Sequence, residues 1–560
     1  MKKLIATLLT VVMVAGIAAG CSTTTGENSS TPTPSASSSP TSSASATPEA
    51  SVPQEFTFTG TNDIMTLDVS QMNDEMSALI MYAVNEGLIR YSNDQIIPGI
   101  AEEHTVSEDG KVYTFKLRDA VWSDGVAVTA ADFEYSFLRT LNPATGSSQV
   151  EVFDSILNAR AYYSGELTDA AKVGIKAEDD KTLVITLAEA DPFFLSHIAQ
   201  SINFYPIRKD LAEKSGANYG SSPDAFIGCG PFVLKEWVQG ASLTMEKNAS
   251  YWDASSIKLD KVVELIVPDE NTRVGMYDLG EIDGVYSISK AQTVKYTDYG
   301  SKSGGTLQHL VFNSAKGKVM DNVNLRKALS FAIDRGAIVQ AISAPGTTVA
   351  DRMIDPTIML DGTSVAGQYP NTTGIPVNGD VDKAKEYLNA ALAELGLTSV
   401  SQLPAINYVC LDSATHKQYA EALQARWQEV LEVKVDINIL PVPQAIGSLL
   451  GGEFDIFLNG QGTGVKPDTL LTNYTVGNGN NYAKWDNEEY SALIEAERTS
   501  ASLKEGLEAL QKAEALILDQ APVAPLWLPG TAYLVQDYVK ELHYGRQTGS
   551  IEFIYSSIEK

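Results

Sequence analysis

Residues 98–125 read PGIAEEHTVSEDGKVYTFKLRDAVWSDG, and residues 128–133 continue as VTAADF. Local rules order this stretch without any wider context. Val112–Leu117 (VYTFKL) alternates with the period of two expected of a half-buried strand. Asp109-Gly110 and Asp124-Gly125 are turn dipeptides on either side of it. Thr129 with Asp132 three positions later is arranged much as in a capping box, and Phe133 and Phe137 then share one helix face. The stretch therefore predicts turn, strand, turn and helix in succession.

The same mixture continues in both directions. Phe56–Phe58, Thr182–Leu187 (TLVITL) and Lys261–Val267 (KVVELIV) read as strands. Leu325, Ala328, Leu329, Ala332 and Ile333 fall on one helical face, which Asn324 or Asn322 can cap. Leu503, Leu507, Leu510 and then Leu516-Ile517 line a late helix. A chain of 560 residues exceeds one ordinary core, so the reading is an α/β protein of several lobes. Gly460–Gly464 is glycine-rich and reads as a loop, either a plain turn or a place of close backbone approach.

The first 54 residues read differently. Lys2 and Lys3 precede an apolar run, Leu4–Ala19, too short to span a bilayer and suited to a signal peptide over residues 1–20. It ends in Ala18-Ala19-Gly20-Cys21, which resembles the lipobox of bacterial lipoproteins and implies a lipid on Cys21. Residues 22–54 are almost entirely Ser, Thr, Pro, Ala and Gly, a flexible tether with a typical reach of roughly 30 Å. The expected location is the extracytoplasmic face of the cell membrane, at the surface or in a periplasm.

Composition narrows the function. The formal net charge of −29 repels nucleic acid and anionic headgroups, so no nucleic-acid partner is expected. Three cysteines make no disulfide framework, and Cys229 and Cys410 read as free thiols. With five histidines and no Cys/His cluster, no metal site or cofactor is expected. No G-x-S-x-G elbow, H-E-x-x-H, P-loop or dinucleotide fingerprint is present, so the chain does not read as an enzyme.

The opening stretch closely resembles the signature of the oligopeptide-binding family of solute receptors, family 5 of the bacterial extracellular binding proteins. The order is a proline, an Ala-Glu pair, a Ser-x-Asp-Gly turn, a strand ending Leu-Arg, Trp-Ser-Asp-Gly, and a helix opening Thr-Ala-x-Asp-Phe. Further landmarks agree. They are Asp179–Leu183, Gly228-Cys229-Gly230-Pro231-Phe232, Lys247-Asn248 with Tyr251-Trp252-Asp253, Gly280–Asp283, Phe312-Asn313, and Arg326–Leu329 with Ile333-Asp334-Arg335. Read as residues alone, Trp122, Phe133, Tyr135 and Trp252 are core anchors.

The resemblance implies a class II periplasmic-binding-protein fold, two lobes with a hinge and an extra domain in the first lobe. Its limits would be 55–93, 221–309 and 528–560 for the first lobe, 94–220 for the extra domain and 310–527 for the second lobe. It also implies an ABC-importer receptor that closes on an oligopeptide and delivers it to permease subunits, working as a monomer. Two segments would hold the ligand: Met72-Asn73-Asp74-Glu75-Met76, and the loop from Gly460 to Asp468 that includes Gln461, Gly462, Thr463 and Gly464. Gln461 falls where many peptide binders have tryptophan, and Gly464 where they have the aspartate that pairs with the peptide's α-amino group. Asp468, Asp74 or Glu75 would then supply that charge, or the ligand is another solute. Gln461, Thr463, Asn459 and Asn473 would suit an oligosaccharide or other neutral polar ligand, and a nickel chelate is a further alternative.

Overall fold

The computed structural model describes residues 52–92, 95–303, 305–360, 363–370, 374–464, 466–500, 502–544 and 551–560. The signal segment, Cys21 and nearly all of the tether lie outside the described residues. Among those described, no helix is long and apolar enough to cross a membrane.

Two large sheets organise the chain. The first has seven strands, in the order Gly300–Ser303, Gly530–Val535, Gly284–Ile288, Glu55–Gly60, Lys261–Ile266, Ser242–Lys247 and Phe232–Val238. Its central strand, Glu55–Gly60, runs parallel to both neighbours. The second has six strands, in the order Thr348–Val349, Val523–Leu528, Thr306–Phe312, Ile456–Gly462, Ile406–Leu411 and Val435–Leu440. The chain passes between the sheets twice, from Ser303 to Thr306 and from Leu528 to Gly530. These paired crossings make a two-lobed α/β fold joined at a hinge. Gly530 is packed there against backbone: a Cβ on it would lie 2.1 Å from the Thr347 amide nitrogen.

A smaller four-stranded antiparallel sheet, Ala101–Val106, Val112–Leu117, Thr182–Thr186 and Ile175–Asp179, carries the opening stretch. Val112–Leu117 is a strand over the expected residues, and the helix Ala130–Leu141 follows it. The Asp132 carboxylate accepts from both the Thr129 amide (2.8 Å) and the Thr129 hydroxyl (3.0 Å). Trp122 and Phe133 are fully buried in this domain's core, whereas Tyr135 and Trp252 are half-buried. Trp252 instead supports the Arg118 guanidinium, 3.5 Å above its ring.

The landmark residues have structural work. Gly228 and Gly230 press on the end of the helix Glu75–Val84, where a Cβ on Gly228 would sit 1.8 Å from the Val84 carbonyl oxygen. Asp283 accepts from the Thr57 amide and the Tyr538 hydroxyl, each at 2.7 Å. Of the two candidate caps, Asn322 holds the helix Val323–Phe331, accepting from the Leu325 amide. Arg326 and the fully buried Arg335 donate to backbone carbonyls, among them Gln520 and Pro525, and so bolt this helix region to the returning chain. Cys229 and Cys410 are free and buried.

One expectation is corrected. Gly460, Gln461 and Gly462 are not loop residues, because the strand runs through Gly462. Thr306, Leu307 and Gln308 pair with Gly462, Gln461 and Gly460 and supply the ladder that the glycines alone do not suggest.

Candidate ligand cleft

The first candidate segment hangs from an anchored turn. Asp68 receives both terminal nitrogens of Arg139 at 2.7 Å, tying Leu67-Asp68-Val69 to the extra domain's helix. Asn203 donates to the Val69 carbonyl at 2.7 Å. Met72 and Met76 point into the first-lobe core, so a ligand contact there falls to backbone or to their neighbours. Asn73 is exposed. Asp74 caps the helix Glu75–Val84 by accepting from the Ser77 amide at 2.8 Å, and its other oxygen is buried without a hydrogen-bond partner. Exposed Glu75 accepts from the Tyr286 hydroxyl at 2.7 Å.

The second segment belongs to the strand Ile456–Gly462 and the turn after it. Its ladder with Ile406–Leu411 covers Ile456 and Phe457, whereas Thr306–Phe312 accompanies the whole strand. Leu458–Gly462 is therefore flanked in the sheet along one edge. Asn459 and Gln461 share a face of that half. The Asn459 side-chain nitrogen and the Gln461 side-chain oxygen are buried with no hydrogen-bond partner, a donor and an acceptor two residues apart. Thr463 is buried and donates to Asp355 at 2.8 Å, and its amide donates to the Gly305 carbonyl. Gly464 has φ +61°, and a Cβ on it would lie 2.5 Å from the Thr469 hydroxyl. Asn473 sits apart, beyond the short helix Thr469–Thr472.

Asp468 opens onto a different neighbourhood. A cavity of about 460 Å³ separates the extra domain from the second lobe, with Asp191 and Phe193 on one side and Lys466, Asp468, Glu497 and Arg498 on the other. Phe193 crosses the boundary and is buried in a second-lobe core beside Leu470 and Leu471. Lys466 pairs with Asp191. Burial lowers the Lys466 pKa, but Asp191 and Asp468 outweigh it and hold the ammonium above the ordinary lysine value. Burial raises the Asp468 carboxyl, and one of its oxygens has no hydrogen-bond partner. Glu497 is 3% exposed, and burial followed by the Asp468 charge pushes it up to about 8. His197, also in reach of Lys466 and Asp191, is driven down to about 3 by burial and is neutral.

The structure thus places 72–76 with the seven-stranded sheet, and Gln461, Gly462, Thr463, Gly464 and Asp468 with the six-stranded sheet. Asp468 is gathered with Asp191 and Glu497, which sequence reasoning missed. A signal for Glu497 was present: Tyr490, Ile494 and Glu497 fall at i, i+4 and i+7, which puts a glutamate on the buried face of the helix Glu488–Arg498.

A family described as Bacterial extracellular solute-binding proteins, family 5 Middle, matches residues 95–483. The oligopeptide-binding protein OppA of Bacillus subtilis (strain 168) is 31% identical, the match covering 84% of this chain and 86% of that protein. Among solved structures, the unliganded open form of the periplasmic murein tripeptide-binding protein MppA superposes with a TM-score of 0.77 at 26% identity, covering 90% of this chain and 97% of that one. OppA of Listeria monocytogenes bound to peptide gives 0.68 at 25% identity, covering 91% and 99%.

Proposed function

We propose that this chain, which belongs to family 5 of the bacterial extracellular solute-binding proteins, captures oligopeptides between its two lobes and hands them to the permease of an ABC importer. The observation that carries this reading is the half-strand Leu458–Gly462, flanked on one edge and glycine-bearing at alternate positions. An extended peptide can lie along such an edge as an added strand, bonding main chain to main chain irrespective of its side chains. The space over Gly462 is open, that over Gly460 is taken by the Gln308 amide, and the unpartnered donor of Asn459 and acceptor of Gln461 match what an amide offers. The relatives bearing peptide-binding names support the same class.

In this reading Asp468 receives the peptide's α-ammonium in place of the family's aspartate, and 72–76 contacts the ligand from the opposite lobe. Closure follows from the ligand's greater affinity for the closed arrangement, and no chemistry is performed. The lobe limits given by the resemblance, a lipid on Cys21, the tether to Gln54 and a monomeric state belong to the same proposal. Native mass spectrometry tests the ligand class. Residues 52–560, unfolded and refolded to strip bound solute, are offered mixed tripeptides, oligosaccharides and nickel together. Retained peptide masses support the reading, and retention of a sugar or a nickel species instead overturns it.

A further inference from the structure

We infer that the cavity between the extra domain and the second lobe is a subsite for a cationic first side chain of the peptide, a lysine ammonium or an arginine guanidinium, with Glu497 as its carboxylate. This rests on the peptide reading and on Asp468 as the partner of the α-ammonium.

Of the six carboxylates that line this space, Asp154 and Glu189 are paired with Arg160 and Lys111 and Glu495 is exposed, which leaves Asp191, Asp468 and Glu497 acting on one another. One ammonium, Lys466, stands among them, and it is paired with Asp191 from the other side of the boundary. Arg498 lies on the exposed rim, where its charge reaches Asp468 and Glu497 without a hydrogen bond to either, and its one long contact, 3.5 Å, is to the Thr472 hydroxyl. Arg160, also at the rim, is paired with Asp154 at 2.7 Å. One oxygen of Asp468 and one of Glu497 are consequently buried with no hydrogen-bond partner. A buried carboxylate without a partner is costly, and an apolar residue at that helix position would avoid the cost. A peptide ammonium meets the need of Asp468 alone. Glu497 is left facing a space ample for a four-carbon side chain, immediately beside the place where the first residue would begin.

The same chemistry could arrive as a free diamine, so the experiment separates the sources. Isothermal titration compares Lys-Ala-Ala with norleucine-Ala-Ala, which keeps the four-carbon stem without the ammonium, and with cadaverine alone. The lysine peptide is expected to bind about 10- to 100-fold more tightly, the strength of one buried charge-assisted contact. In Glu497→Gln that ratio falls to within about 3-fold. In Glu497→Asp, with thermal unfolding confirming the fold of both variants, a preference for lysine persists. Equal binding of the two peptides by the wild type, or a ratio unchanged in Glu497→Gln, overturns the subsite while leaving peptide capture intact. If cadaverine binds and neither peptide does, the peptide reading falls, and the subsite falls with it.

Discussion

Lys466 pairs with Asp191 across 275 positions of sequence, and the pair ties the turn after a second-lobe strand to the extra domain. The two partners do not carry equal weight. Removing Lys466 leaves Asp191, Asp468 and Glu497 facing one another, whereas removing Asp191 leaves Lys466 with Asp468 and Glu497 still near. Lys466→Ala is therefore expected to cost about 3 kcal/mol of unfolding free energy, and Asp191→Ala about 1 kcal/mol, after allowing for the partial exposure of both. Urea unfolding of the two variants measures the asymmetry, and equal losses would contradict it.

Arg335 gives a comparable effect through carbonyl partners. It is fully buried and donates to the carbonyls of Pro525, Ser330 and Pro376. Arg335→Ala takes this donor from the Pro525 and Pro376 carbonyls, while Ser330 keeps its amide partners, and should cost about 3 kcal/mol in the same urea assay.

Gly228 tests backbone contact rather than charge. Gly228→Ala places a methyl against the Val84 carbonyl, and no side-chain motion can relieve the contact. A loss of about 3 kcal/mol or more is expected by thermal unfolding, against almost none for Gly125→Ala on space alone, although the positive φ of Gly125 adds about 1 kcal/mol.

Glu264 sets a pH dependence. It lies on an inward position of Lys261–Ile266, both its oxygens are without hydrogen-bond partners, and burial with the Asp63 charge pushes it up to about 8. Unfolded, it ionises near the ordinary carboxyl value of 4.5. Between these values the folded chain holds the proton that the unfolded chain releases, so this group lowers stability progressively from pH 4.5 to 8. The loss is about 3 kcal/mol by pH 7 and levels off above pH 8. Glu264→Gln should leave stability at pH 4.5 nearly unchanged and flatten the fall above it, measured as urea midpoints across the range.

The sequence was most legible where structure is local. The turn–strand–turn–helix of 107–141 follows from dipeptides, period-two alternation and a cap spanning three residues, all of which act within one element. The Gly460–Gly462 end of the strand Ile456–Gly462 was not legible, because Gly-Gln-Gly lacks strand propensity and its ladder partner begins 150 residues before Ile456, at Thr306. Of the candidate site, Asp468 was found but its setting was not. Asp191 arrives from the extra domain and Glu497 from a later helix, and nothing in sequence spacing brings these together. Inward-facing acids are the recoverable signal. Glu264 among Val262 and Ile266, Glu497 beside Tyr490 and Ile494, and Glu514, paired with Arg352 at 2.7 Å, all break an apolar pattern.

The most direct test of peptide capture is a calorimetric titration of refolded residues 52–560 with trialanine and with N-acetyl-trialanine, repeated on Asp468→Asn. Capture along Leu458–Gly462 with the ammonium on Asp468 predicts that trialanine binds and that acetylation weakens it by about 30-fold or more. In Asp468→Asn the free peptide should lose most of that advantage. Equal affinity for the two ligands in the wild type, or no binding of either, would contradict the account.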